Sequence, residues 1–567
     1  MSEHNLEVIL VNLISYDYLV RYQAPLPTNT LAGYLKTSMP KVKVTVIDMQ
    51  KLFSQNENVG SDKETIFNQA ISCTIQEIKC SSQNTPVIVG LSMKWTTQEV
   101  ASIIIKQVTK SVDNNRVLFT LGNIMSTYGY QYLLENPEFQ NTLAVVGEGE
   151  RALVKIVQKA LENLHNITNL SLYLGIANVA VRYDDKIFLE KLERVDLTQY
   201  PNLTIPTAID IYDKEWDVYA IETSRGCPWG RCTFCSIKDQ FGRCLNSNQK
   251  TDWGWKPFSL DKIFNDVQNY INQGAIRFDV KDSEFFGPVR KEGNTDHFES
   301  SMNRVAQFAN QFGEFNKKFG ATISHVSARV DTVVREQEIL KNVRRRQVYE
   351  QLSQSGLIGL YLGIESGSKR QLRLYGKGVT VEENRQAIKI LRELGFNLEV
   401  GFIFFSPLDV MEDLYNNISF IGETRLHETD SRIFGSLRVQ EGTTYAEMLR
   451  KRNLLGKPQR RSLSYSYRYQ DDEVYFIKKT FDTWEKATIK LVRLLPKAVR
   501  LESYEMNFFF LQDVLRGYFS GGRDNVKRVV MEHVKKRGTY LGGISDTGGS
   551  LSAYLSQAKV ANSNLLK

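Results

Sequence analysis

Long apolar runs are missing from this sequence. Its most apolar stretch, residues 400–405, is only strand-sized, well short of the ~20 residues that a membrane-spanning helix needs, so no membrane partner is expected. The amino-terminal residues Met-Ser-Glu-His-Asn lack the basic and apolar regions of a secretory signal. Cysteine is scarce, with six in 567 residues. That excludes a disulfide-stapled fold and fits the reducing cytoplasm, where thiolates bind metal instead of pairing. A dominant charge sign is lacking too, since 72 Lys and Arg face 64 Asp and Glu for a net charge of +8. The densest basic runs, Arg344-Arg345-Arg346 and Arg460-Arg461, are short and lie among acidic residues. They read as solvated helix faces, which argues against nucleic acid as a partner. What remains, 42% hydrophobic and 24% charged residues, is the composition of a large soluble enzyme with two or three cored domains.

Periodicity divides the chain. In residues 1–165, apolar strand patterns at 8–13, 42–47, 87–91, 117–121 and 144–146 alternate with helical spacing from 31, over 66–78 and over 98–110. This predicts an α/β fold beginning with a doubly wound parallel sheet, whose ligand crevice lies beyond the carboxyl ends of its strands. Gly90, Ser92, Gly122, Asn123, Gly147, Glu148 and Gly149 fall at those ends, and glycines there let a bulky ligand approach the backbone. Residues 166–216, with Pro201 and Pro206, read as a linker. Residues 217–445 read as a partial (β/α) barrel, with strands at 276–280, 323–329, 358–362 and 398–404 and a helix opened by the capping box Thr380-x-x-Glu383. Catalytic groups of such barrels sit at the strands' carboxyl ends, where Asp282, Glu284, Arg329, Glu365 and Ser366 fall. Residues 446–567 read as a mostly helical domain with apolar helix faces, ending in a glycine- and serine-rich stretch at 542–556.

Three cysteines are concentrated in nine residues, Cys227-Pro-Trp-Gly-Arg-Cys232-Thr-Phe-Cys235. Three thiolates are one too few for a closed tetrahedral zinc site. The spacing is also that of a plant-type two-iron ferredoxin, with Cys244 as a possible fourth ligand, or of a four-iron cluster with one iron left open. Spacing alone leaves all three readings standing.

With Phe234 between the last two cysteines, the lead-in Glu222-Thr-Ser-Arg-Gly226 and the strand and helix signals that follow, this region resembles the radical S-adenosylmethionine (SAM) enzymes. The resemblance implies a [4Fe-4S] cluster on Cys227, Cys232 and Cys235, with SAM on the open iron and Phe234 beside the adenine. The loop is one residue longer between its first two cysteines than is usual there. Gly363-Ile-Glu-Ser-Gly-Ser368, followed by Lys377-Gly378, is similar to a SAM-contacting segment. Gly363, Glu365 and Ser366 would then bind SAM, joined by Arg329, with Gly401 and Ile403 under the adenine. Asp282 and Glu284, in another such segment, are the catalytic candidates.

The prolines around the first helix (Pro25, Pro27), Gly90-x-Ser92 and Gly147-Glu-Gly-Glu150 resemble the cobalamin-binding domain of the B12-dependent radical SAM subfamily. Gly90, Ser92, Gly122, Asn123, Gly147, Glu148 and Gly149 would line the cobalamin site. The resemblance also implies that residues 446–567 close the barrel and shape the substrate pocket. None of the six histidines lies between Ser15 and Pro40, so the resemblance implies cobalt without a protein imidazole. The implied function is C-methylation of a small-molecule or peptide substrate. A low-potential donor such as flavodoxin or ferredoxin would supply electrons to cleave SAM, and cobalamin would carry the methyl group. A cobalamin-dependent cyclisation or rearrangement, and a non-enzymatic iron-sulfur or zinc protein, are the alternatives.

Overall fold

Alternation along the first strand sets the amino-terminal architecture. In β1 (Glu7–Asn12), Val8 and Leu10 enter one apolar cluster while Ile9 and Val11 enter another, as in a strand covered on both faces. The computed structural model describes residues 5–14, 25–51, 63–113, 115–201, 218–237, 254–292, 294–429, 433–459, 462–492 and 497–544. Cys244, His4, Pro206, Arg460, Arg461 and most of the 542–556 stretch lie outside these residues.

The first sheet has seven strands. Around β1 stand β2 (Lys43–Asp48), β3 (Val87–Ser92), β4 (Val117–Gly122) and β5 (Leu143–Val145), all parallel. The helices α1 (Leu26–Ser38), α2 (Lys63–Asn84), α3 (Gln98–Thr109), α4 (Asn123–Glu135) and α5 (Glu150–Glu162) connect and cover them. Part of the expected linker is instead sheet. β6 (Val179–Tyr183) and β7 (Lys186–Leu189) add an antiparallel hairpin to β5, because Val179 and Val181 alternate into the same apolar cluster as Val145. Two strands this short beside a proline-bearing segment give little periodic signal.

The second sheet is the expected partial barrel. β8 (Tyr219–Ile221), β9 (Arg277–Val280), β10 (Thr322–Arg329), β11 (Leu357–Glu365) and β12 (Asn397–Phe402) are parallel neighbours in chain order. A parallel bridge from Phe405 to Ser436 extends the open edge. Helix α6 (Leu260–Asn272) begins where the Ser259 side chain accepts from the Lys262 amide. Helix α7 (Phe298–Phe319) stops at Gly320, whose φ of 69° is left-handed. Helix α8 (Ile339–Gln354) precedes β11, and α9 (Val381–Glu393) opens with the expected reciprocal box between Thr380 and Glu383.

After α10 (Met411–Glu423) and α11 (Thr444–Lys451), a hairpin of β13 (Leu455–Gln459) and β14 (Ser464–Tyr467) leads to α12 (Asp472–Val492) and α13 (Lys497–Ile544). Ile477, Phe481, Phe510 and Leu511 share one core with barrel residues Phe404, Phe405 and Ile418, so these helices are packed onto the barrel. Leu463, in the hairpin turn, is buried in the cluster of the first sheet despite a left-handed φ of 52°. No described helix is long and apolar enough to cross a membrane.

The capping box gives a direct check on this frame. Thr380→Ala removes the side-chain acceptor of the Glu383 amide and should lower unfolding stability by about 1 kcal/mol. Thr380→Ser should retain most of it in chemical denaturation.

Candidate active site

All seven residues singled out at the ends of the first sheet's strands line one cleft of about 990 Å³, open to solvent. Its floor is a row of side-chain positions on one face of four adjacent strands, Leu10, Gly90, Thr120 and Val145, held level by the register Leu10–Gly90–Thr120. Gly90 makes the dip in that row, since a Cβ there would stand 2.6 Å from Leu10 Cδ2. At Gly122 a Cβ would meet nothing within 4 Å. Asn123 has a left-handed φ of 70° at the start of α4, a strained state of the kind that gathers at functional positions. Its side-chain Nδ2 donates to Ser92 Oγ at 2.9 Å. Small residues, an apolar floor and an open mouth suit a large, rigid organic cofactor.

The wall opposite belongs to the barrel. Glu222 and Arg225, just beyond β8, line the same cleft. Arg225 is buried, with Nη1 donating to Glu148 at 3.0 Å, Nη2 to Glu150 at 2.7 Å and Nε to Glu222 at 3.0 Å. Thus Glu148 borders the cleft as expected, but its carboxylate is engaged by Arg225 and by the Val195 amide at 2.6 Å. Burial raises the Glu222 carboxyl above the ordinary range, with Arg225 opposing it. For Glu150 burial also pulls upward, yet the Arg225 charge and hydrogen bonds outweigh it and leave the carboxyl below its usual value.

Gly226 follows at φ 89°, where a Cβ would sit 1.4 Å from the Gly254 carbonyl oxygen, so only glycine fits before Cys227. The cysteine loop is then stitched to residues 374–376. Trp229 Nε1 donates to the Gly376 carbonyl, the Thr233 hydroxyl to Leu374 and the Thr233 amide to Tyr375. Tyr128 of α4 donates to the Ser236 carbonyl at 2.8 Å, joining this loop to the first sheet. Burial raises the Cys227 thiol and pushes Cys235 up to about 12, and each feels the other cysteines or a nearby cation, Arg329 or Lys377. Such thiolates need positive counter-charge, which iron supplies. Among the described residues no three His, Cys, Asp or Glu side chains are gathered as a single metal ion would hold them. The donor set of three neighbouring thiols with two cations suits a negatively charged cluster with several metal ions.

The barrel strand ends bring together part of the predicted SAM set. Glu365 has a left-handed φ of 66° at a bulge following Gly363. It accepts from Lys377 Nζ at 2.9 Å, while its main-chain oxygen accepts from Ile403 at 2.8 Å. Cβ atoms at Gly363 and Gly401 would lie 3.0 and 3.3 Å from the Glu365 carboxylate. Phe234 and Ile403 pack on one apolar cluster, with Phe234 edge-on to Tyr375 at 5.5 Å. Arg329 sits close enough to Cys227 to bias it, although its hydrogen bonds go to Asp331 and the Lys377 carbonyl.

Three further candidates are held in hydrogen-bond networks of their own. Ser366 is fully buried and accepts from the Ser368 amide within a network containing Asn417. Asp282 accepts from the Thr223 amide at 2.8 Å and from Ser224 Oγ at 2.7 Å, which fixes the approach to the cysteine loop. Glu284, pushed up to about 8 by burial, accepts from the amides of Gly287 and Phe286. Neither acid borders the cleft; both lie beside the lead-in to the cysteine loop, with their carboxylates hydrogen-bonded to neighbouring loops. Sequence position finds a strand end but not the donors folded around it. Arg225, Trp229 and the ion pair of Lys377 went unassigned, and the nearest signal was the closeness of Arg225 to Gly226 and Cys227.

No family model matches the chain. It is 26% identical over 443 residues to 4′-phospho-dehydrooxetanocin synthase of Priestia megaterium, covering 75% of this chain and 52% of that protein. It is 25% identical over 343 residues to an anaerobic magnesium-protoporphyrin IX monomethyl ester cyclase of Cereibacter sphaeroides, covering 56% and 46%. To hopanoid C-3 methylase of Methylococcus capsulatus it is 23% identical over 288 residues, covering 50% and 46%. The chain spans about half the length of these relatives. Among solved structures, the cobalamin-dependent S-adenosylmethionine radical enzyme OxsB with aqua-cobalamin bound superposes with a TM-score of 0.76 at 21% identity, covering 97% of this chain and 84% of that one. The radical S-adenosylmethionine methyltransferase TsrM from Kitasatospora setae, with cobalamin and a [4Fe-4S] cluster bound, gives 0.56 at 15%, covering 79% and 78%. These structural likenesses show a common fold.

Replacing the shared guanidinium should expose the electrostatics. Arg225→Met leaves two buried carboxyl groups and one half-buried one without their cation and should destabilise the chain by about 3–5 kcal/mol. The loss should be larger at pH 8 than at pH 5. Orphaned acids have folded pKa values above the unfolded ~4.3, so their cost grows as pH rises from that value through the folded one. In the native chain the lowered Glu150 works the other way, with stability present above its unfolded pKa and lost as pH falls through the folded value. Denaturant midpoints across pH measure both.

Proposed function

We propose that this chain, which has the fold of the cobalamin-dependent radical SAM enzymes and relatives among them in sequence, is a cobalamin-dependent radical SAM methyltransferase acting on an unactivated carbon of a small-molecule or peptide substrate. The observation that carries the reading is the continuity of the two sites. The cleft at the ends of the first sheet is closed by Glu222 and Arg225, and the same chain runs directly into Cys227.

Bound together, cluster, SAM and cobalamin would supply an electron, a hydrogen-abstracting radical and a transferable methyl group. Cys227, Cys232 and Cys235 would hold the cluster, with Arg329 and Lys377 offsetting its negative charge. Glu365, fixed by Lys377 and by its left-handed backbone, would orient the hydroxyl or ammonium groups of SAM. Phe234 and Ile403 offer an apolar seat for its adenine. Gly90, Gly122 and Gly149 would admit cobalamin to the cleft. No histidine is among the described residues that line the cleft, in keeping with cobalt held without a protein imidazole. Arg225 keeps cleft and cysteine loop adjacent, as transfer requires reacting atoms within about 3–3.5 Å of each other.

The methylase relative and the methyltransferase fold favour methyl transfer. The cyclase relative favours a rearrangement that uses the same cofactors without methylation. Product mass separates the two, since only the first adds a methylene.

Anaerobic reconstitution should give about four irons per chain, lost in Cys227→Ala, Cys232→Ala and Cys235→Ala and kept in Cys244→Ala. Loss in the last variant, or zinc in place of iron, would overturn the reading. Gly90→Leu should fill the dip beside Leu10 and weaken cobalamin binding by about tenfold or more, at least ~1.4 kcal/mol, with iron content unchanged. Absorbance titration with hydroxocobalamin reads that difference.

A further inference from the structure

A second cavity, of about 820 Å³ and open to solvent, borders the outer side of the cysteine loop and shares no lining residue with the cleft. Its wall carries four cations, Arg231, Arg290, Lys291 and Arg329, against the single acid Asp331. Four positive charges less one negative leave +3. The acid is already engaged, because both Arg290 and Arg329 donate to it. Those two guanidinium groups also reach the carbonyls of Gly378 and Lys377.

Arg231 and Lys291 differ from them. Both are exposed; Arg231 has no ion pair among the described residues, and Lys291 stands opposite Asp296 across a two-stranded ladder, where that carboxylate is ion-paired with Lys341. Trp229 gathers the guanidinium groups of Arg231, Arg290 and Arg329 at 5.2, 4.3 and 4.8 Å from its ring, an arrangement that offsets part of their mutual repulsion. The two deeper guanidinium groups thus share one carboxylate and two carbonyls, while the rim adds two further positive charges. Unmatched rim charge steers a large partner of opposite sign.

Its position identifies the task. Trp229, Gly230 and Arg231 lie between Cys227 and Cys232, and Gly230 and Arg231 are exposed where the thiols are half-buried. The other approach, through the cleft, is walled by the first sheet. We infer that this basic face, centred on Trp229 and rimmed by Arg231 and Lys291, is the docking surface for an acidic one-electron donor protein that reduces the cluster. The inference rests on the proposed function. One electron leaves the donor, which is oxidised by one, and enters the cluster, which is reduced by one, with no bond made or broken.

The test uses the reconstituted enzyme with a bacterial flavodoxin as probe and dithionite as the small reductant. Flavodoxin affinity, measured calorimetrically, should fall steeply with added salt. It should also weaken by about tenfold in the Arg231→Gln, Lys291→Gln double variant. Iron content and the rate of cluster bleaching by dithionite should stay within about threefold of wild type, because a small reductant needs no docking face. Salt-insensitive flavodoxin binding, or affinity unchanged in the double variant, would overturn the inference. So would inorganic pyrophosphate binding that is lost in the variant while flavodoxin binding persists, since the cavity would then be a small-anion site. A wild-type protein that assembles no reducible cluster would instead overturn the functional reading, and this inference with it.

Discussion

Three carboxylates on one buried guanidinium, two of them buried and one half-buried, constrain everything else in this protein. Glu148 and Glu150 come from the first sheet's last parallel loop, Glu222 and Arg225 from the end of the first barrel strand. Taking such charges out of water is expensive, and the cost is offset only while every partner keeps its place. The cluster is thus a geometric lock more than a source of net stability. Any shift of the sheet relative to the barrel would leave a carboxylate or the guanidinium buried alone. Because Gly226 and Cys227 follow immediately, the lock also fixes where the cysteine loop begins.

Around that loop, two ion pairs bring cations within electrostatic reach of sulfur. Lys377 is tied to Glu365 and Arg329 to Asp331, yet both cations act on the cysteine thiols. The carboxylates prevent the cations from being stranded before a cluster is present. Glu365 serves two ends at once, as the Lys377 partner and as a left-handed residue pinned by Ile403. A side chain held this tightly loses little entropy when a ligand arrives.

The sheet ends were legible because parallel strands buried on both faces leave continuous apolar runs, and Gly90, Gly122 and Gly147 interrupt them where each run stops. Those positions, drawn from three separated segments, meet in one cleft. The short hairpin 179–189 was not legible, since four or five residues at a sheet edge carry too little pattern. Asp282, Glu284 and Ser366 show a different limit. Sequence places a polar side chain at a strand end, but only the fold shows that Thr223, Ser224, Gly287 and Ser368 have already claimed it. Arg225 was hidden for the same reason, because its partners lie 75 and 77 residues away.

Leu463 reaches from the hairpin turn of the carboxyl-terminal domain into the first sheet's core, against Gly129, where a Cβ would approach it to 2.9 Å and where α4 departs from helical geometry. A leucine kept in a left-handed backbone is retained by what surrounds it. It works as a peg in a notch, and the chain fastens on itself like a clasp, with its latest domain holding its earliest. Spreading the sheet from the barrel therefore means drawing that peg, so their spacing is held in part from a hairpin far beyond the cleft in sequence.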